Sequence, residues 1–180
     1  MEAHETVTFT RDCEATRIPD GTKITILKGE EALITQALGG SYTLLIRGNL
    51  FRLEGKDGNA IGKESEAQPL ETVRGRNDLD KTVWKVMKTC YDPEIPINIV
   101  DLGLIYSCDI FPLENGGTRV EVKMTLTAPG CGMGGILSEE VRSKLCSISE
   151  VSECDVRLVF EPQWNRDMMS EAAKLQLGIL

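Results

Sequence analysis

Histidine is almost missing from this chain: of 180 residues only His4 carries an imidazole, and it stands near a terminus, where side chains are seldom fixed. A zinc hydrolase centre, a Ser-His-Asp triad and a Cys-His dyad each need a histidine placed by the fold. None of these is expected. Basic clusters are missing too. The net charge of −8 argues against a nucleic-acid partner, which requires a basic stripe to displace counterions from phosphate. No apolar run approaches a membrane span, and Met1-Glu2-Ala3-His4-Glu5 lacks the basic and apolar pattern of a secretory signal. The expectation is a cytoplasmic protein that contacts no membrane. Close cysteine spacing is also absent. Cys13, Cys90, Cys108, Cys131, Cys146 and Cys154 include no C-x-x-C pair, so in a reducing compartment most should be small core thiols. Cys90 at a helix end, Cys108 on a strand and Cys146 on a helix fit that role.

What is present is the composition of a folded protein, 41% hydrophobic and 27% charged. The length allows one ordinary domain or two small ones. Residues 1–72 read as a β-rich domain. Short apolar-rich runs at 6–10, 23–27, 32–38, 42–46 and 50–53 are separated by turns such as Asp20-Gly21, Gly39-Gly40 and Gly48-Asn49, which suggests a small barrel or rolled sheet. Asp57-Gly58 and the polar run after it close this unit, and residues 69–76 read as a linker.

Residues 73–180 predict α-β-β-α-β-α, helices layered on a small mixed sheet. Asn77 or Asp78 should cap a helix with Leu79, Val83, Val86, Met87 and Cys90 on one face, ended by Tyr91-Asp92-Pro93. A strand over 104–110, a turn at Asn115-Gly116-Gly117 and an alternating strand over 119–126 predict a hairpin. Leu137, Val141, Leu145 and Ile148 mark a second helix, and Val156, Leu158 and Phe160 a third strand. Asn165 should cap a last helix with Met168, Ala172, Leu175 and Ile179 on one side. The whole is expected to be an α+β protein, a β-barrel-like domain followed by a two-layer one.

The chemistry concentrates in Thr127-Ala128-Pro129-Gly130-Cys131-Gly132-Met133-Gly134-Gly135. Cys131 is set among glycines and a proline, between a strand and a helix start, where orphan amides and the helix dipole favour an anion such as a thiolate. Gly130, Gly132 and Gly135 also fit G-x-G-x-x-G, with Glu161 where a ribose-binding carboxylate would stand. A dinucleotide domain needs further βα units after that strand, and the residues beyond Glu161 are too few. No nucleotide is expected. A second constellation is the stiff loop Asp92-Pro93-Glu94-Ile95-Pro96 leading to Asp101-Leu102-Gly103. Asp92 and Asp101 can serve merely to fix turns. Alternatively a carboxylate here, Asp101 first, stands near Cys131 as an oxygen ligand or proton acceptor.

Taken together, Asp92-Pro93-Glu94-Ile95-Pro96, Asp101-Leu102-Gly103-Leu104-Ile105-Tyr106 and Thr127-Ala128-Pro129-Gly130-Cys131 resemble the small iron–sulfur assembly domain shared by SufT and PaaD proteins. The resemblance covers about residues 77–180 and extends through Pro162-Gln163-Trp164-Asn165 and Met168-Met169. Arg11-Asp12-Cys13, Ile18-Pro19-Asp20-Gly21 and the run 36–43 resemble an extra N-terminal domain of SufT. One departure is Gly132, where many relatives have proline. The resemblance implies a non-enzymatic accessory factor for iron–sulfur protein maturation, with Cys131 as the family's cysteine. Its partners would be the assembly machinery and client apo-proteins. On that reading Cys131 ligates a transient iron–sulfur cluster or iron, Asp101 and Glu94 assist, and Asp92, Thr127, Pro129 and Gly130 shape the site. One thiolate cannot fill four ligand positions, so another thiol, a partner or a second protomer in a homodimer must complete the set. Two alternatives stand beside this one: a metal-free adaptor that recruits clients, and a thiol enzyme with Cys131 as nucleophile.

Overall fold

A computed structural model describes residues 4–65, 76–93, 95–128 and 132–179. The chain divides into two compact units, Met1–Gln68 and Pro69–Leu180, with the expected linker mostly outside the described residues.

The first unit is a six-stranded antiparallel sheet. Its strands are β1 (Glu5–Thr8), β2 (Cys13–Ile18), β3 (Lys23–Ile26), β4 (Glu31–Leu38), β5 (Ser41–Ile46) and β6 (Asn49–Glu54), in the order β1-β4-β5-β6-β2-β3. The edges β1 and β3 do not pair with each other, so the expected barrel is not closed. Phe9, Ile34, Leu44 and Leu53 are fully buried at its core. A 3-10 turn over Gly55–Ile61 buries Ala60 and Ile61 beneath the sheet. It is tied down where Thr10 N–H donates to the Ala60 carbonyl at 2.7 Å.

The second unit starts with α1 (Arg76–Met87). Leu79, Val83, Val86 and Met87 recur at helical spacing and are buried. The helix begins before the expected cap, leaving Asp78 in the first turn, where a carboxylate complements the dipole. It stops at Met87, so Pro93 is not what ends it. Thr89 Oγ1 donates to the Val86 carbonyl at 2.6 Å, and the Lys144 ammonium donates to the Thr89 carbonyl at 2.9 Å. Cys90 follows the helix, fully buried.

Next come β7 (Ile105–Pro112), β8 (Thr118–Met124), α2 (Gly134–Cys146) and β9 (Val151–Leu158). β7 and β8 form the expected antiparallel hairpin, and β8 pairs with β9 in parallel. Val120, Val122 and Met124 of β8 and Leu137, Val141 and Leu145 of α2 fill the core. The last segment departs from expectation. Asn165 caps only a 3-10 turn, Arg166–Met168, and Ser170 caps a fresh helix, α3 (Glu171–Gln176), its hydroxyl accepting from Ala173 N–H. The restart shifts the phase by one residue. Met169 and Ala173 are buried, whereas Leu175 and Ile179 of the expected face are exposed.

Candidate functional site

Strand register gathers the segments singled out in the sequence at one end of the three-stranded sheet. Ile105, the first residue of β7, stands opposite Met124, the last of β8, and Met124 stands opposite Leu158, the last of β9. The loop entering β7, the loop leaving β8 and the tail leaving β9 therefore all meet that row. Beyond the carboxyl ends of parallel strands is where open α/β sheets place ligands. Two hydrogen bonds carry the ladder one step further: Thr125 N–H donates to the Leu104 carbonyl and Val159 N–H to that of Met124, both at 2.8 Å.

The 98–104 loop is built by its own side chains. Asn98 Oδ1 accepts from Asp101 N–H at 2.9 Å, and its amide donates to Asp101 Oδ2 at 2.6 Å. The Asp101 carbonyl accepts from Ser170 N–H at 2.8 Å. Asp101 is thus a half-buried joint between loop and tail. Asp92 is buried, and its Oδ1 accepts from Ile95 N–H at 2.9 Å, which fixes the turn at Pro93. Gly103 has φ +78°, and a Cβ there would stand 2.2 Å from the Met168 carbonyl oxygen. Only glycine allows the tail this close.

The tail contributes more than its motif suggested. Trp164 donates its indole N–H to the Leu102 carbonyl at 2.7 Å. The Tyr106 hydroxyl donates to the Pro162 carbonyl at 2.6 Å and contacts Met168 Sδ at 3.6 Å. An aromatic residue among polar neighbours was the available signal for Trp164. Its partner, a backbone carbonyl, leaves no trace in a motif.

The glycine loop spans the end of β8 and the start of α2. Thr127 is half-buried, Ala128 and Gly132 are exposed, and Met133 is buried. Met133 anchors the helix start, its carbonyl accepting from Leu137 N–H at 2.8 Å. Gly134 lets α2 close on the sheet end, since a Cβ there would lie 2.7 Å from Leu126 Cδ1. Pro129, Gly130, Cys131 and Glu94 lie outside the described residues, and so does the expected approach of Asp101 to Cys131. Cys131 stands three positions before Gly134, the first residue of α2.

The other cysteines divide by surroundings. Cys13 and Cys90 are buried; Cys108 and Cys154 are half-buried. Burial, with Asp80 and Asp109 nearby, pushes the Cys108 thiol up to about 12. Cys146 is exposed, contrary to the core role expected of it, and stands one residue past the buried Leu145 at the end of α2.

The model of the family described as "Iron-sulfur cluster assembly protein" matches residues 80–157, inside the second unit. A curated relative from Porphyromonas gingivalis, "Fe-S protein maturation auxiliary factor", is 46% identical over 101 residues, covering 56% of this chain and 92% of the relative. The chain belongs to this iron–sulfur cluster assembly family. Another relative, "Fe-S protein maturation auxiliary factor SufT" from Staphylococcus aureus, is 41% identical over 88 residues, 49% of this chain and 96% of that one. An added N-terminal domain is therefore not what marks that SufT. Among solved structures, a domain of unknown function, DUF59, from Bacillus anthracis is 33% identical with a TM-score of 0.49, covering 58% of this chain and 95% of that one. Among the described residues, no helix of this family member is long and apolar enough to cross a membrane.

Proposed function

We propose that this chain is an accessory factor in the maturation of iron–sulfur proteins. On this reading it holds a transient iron–sulfur cluster, or iron, as cargo through the Cys131 thiolate and passes it to an apo-protein. The observation that carries the proposal is the convergence of the 98–104 loop, the β8–α2 loop and the 159–170 tail on one end of the sheet, in a family whose members are named for this maturation. Thiolates are the preferred protein ligands of such clusters, and ligation by one thiolate suits a carrier that must release its load.

Asp101 and Asp92 serve this site as shaping residues, because both carboxylates already accept hydrogen bonds within their own loop. Glu94 is the carboxylate left to assist. The remaining ligands come from the assembly machinery, a client or a second copy of the chain, and no step of bond-making catalysis is required. The test is transfer. Anaerobically loaded protein should reactivate an apo iron–sulfur enzyme, and Cys131→Ala should not.

A second reading, the metal-free adaptor, is favoured by one observation. The chain carries a net charge of −8 and a second compact unit, Met1–Gln68, outside the family match at 80–157, which offers a client a surface that needs no metal. Clients captured equally by wild type and Cys131→Ala, with no transfer by either, would support the adaptor.

A further inference from the structure

Cys146 is read from sequence as a core thiol on a helix, and Cys154 is assigned no element or partner. The fold makes them neighbours. Cys146 ends α2, Cys154 is the fourth residue of β9, and the two side chains line one cleft, near enough for Cys146 to act on the Cys154 thiol electrostatically. Both line an open cleft of about 490 Å³ together with Arg119, Arg142, Ser152 and Asp155. Cys146 is exposed there and Cys154 half-buried, so a small reagent in the cleft reaches Cys146 first and finds Cys154 behind it. Burial and the adjacent Cys146 push the Cys154 thiol up to about 12, so it keeps its proton while the pair is reduced.

Cys108 is the competing partner, since it lies near enough to Cys154 to affect it electrostatically. Geometry removes it. Cys108 stands opposite Val122 and Cys154 opposite Val120, with β8 between them. Strands lie about 4.8 Å apart, so two spacings come to about 9.6 Å, beyond the roughly 7 Å Cα separation that a disulfide bridges. Across the α2–β9 contact no such strand intervenes.

We propose that Cys146 and Cys154 form a redox-active dithiol that closes to an intramolecular disulfide when a hydroperoxide enters the cleft. Cys146 sulfur attacks a peroxide oxygen. The O–O bond breaks, leaving a sulfenic acid and water. The hydroxide leaving Cys146 takes the Cys154 proton as Cys154 sulfur attacks Cys146 sulfur, the S–O bond breaks, and a second water departs. Two electrons from the two thiols reduce one hydrogen peroxide to two waters. The bond staples the end of α2 to β9, away from the helix start that follows Cys131. The site is separate from the proposed cargo site and does not depend on it.

The test uses the full chain, freed of reductant, treated with hydrogen peroxide and quenched with an alkylating reagent in denaturant. Wild type should lose the mass of two hydrogens and leave Cys146 and Cys154 unalkylated. Cleavage after Glu150, which lies between them, should release two peptides joined until reductant is added. Cys146→Ser, at an exposed position, should abolish the link, and Cys131→Ser should retain it. Full alkylation of both thiols after peroxide, or a link to Cys108 or Cys131 instead, would overturn the proposal.

Discussion

Trp164 donates its indole N–H to the carbonyl oxygen of Leu102 at 2.7 Å, so the tail after β9 is fastened to the loop before β7. Leu102 itself is fully buried. Trp164→Phe keeps the ring and removes the donor. An unsatisfied carbonyl at a packed site costs about 1–3 kcal/mol. Chemical denaturation should show a loss of that order, with the slope of the transition unchanged.

Gly103 makes a harsher demand. Its φ is +78°, and a methyl group placed on its Cα would stand 2.2 Å from the Met168 carbonyl oxygen. Gly103→Ala therefore meets strain and collision together, and the obstacle is backbone. The φ strain alone is on the order of 1 kcal/mol, and undocking of the tail adds to it. Hydrogen exchange should report faster exchange at Ser170 N–H, which donates to Asp101 across the same junction.

Much of this architecture could be read before the fold was known, for reasons tied to particular residues. Leu79, Val83, Val86 and Met87, and Leu137, Val141 and Leu145, carry strong helical periodicity, and Val120, Val122 and Met124 carry strand alternation. Those elements lie where the pattern put them. β2 carries no clear strand signal, because its inward residues Cys13 and Ala15 are small and the alternation has little amplitude. The 3-10 turn at Gly55–Ile61 reads as a polar loop because Asp57-Gly58-Asn59 masks the buried Ala60 and Ile61. The tail offered two cap residues, Asn165 and Ser170, and phase taken from the first puts Leu175 inside when it is 70% exposed. Openness of the sheet, like the meeting of Cys146 with Cys154, depends on long-range pairing that no local pattern records.

Lys144 is a buried cation of the second unit. Its ammonium pairs with Glu140 at 3.1 Å, both side chains under a tenth exposed, and donates to Thr89 just past α1. The pair therefore joins α2 to the end of α1. Lys144→Met keeps the stem and removes the positive charge that faces the buried Glu140 carboxylate. Loss of one partner of such a pair costs about 3–5 kcal/mol, and thermal unfolding should move down accordingly.

The half-buried thiols predict alkaline behaviour. Cys108 and Cys154 are pushed from an ordinary 9.0 up to about 12 by burial first of all. Between those values the unfolded chain has lost these protons while the native one keeps them. Their contribution to stability is whole below 9.0 and fades as pH climbs toward 12. Denaturant midpoints measured in reductant should fall over that window, and Cys108→Ala should flatten the fall. Under native conditions at neutral pH, both thiols should react with iodoacetamide far more slowly than in the unfolded chain.

The claim that Cys131 holds the cargo is met most directly by iron and sulfide counted per chain after anaerobic reconstitution and gel filtration. Wild type should retain both and show thiolate-to-iron absorption, while Cys131→Ala should retain neither and keep the same far-ultraviolet dichroism. A Cys131→Ala protein carrying wild-type amounts of iron and sulfide would contradict the account.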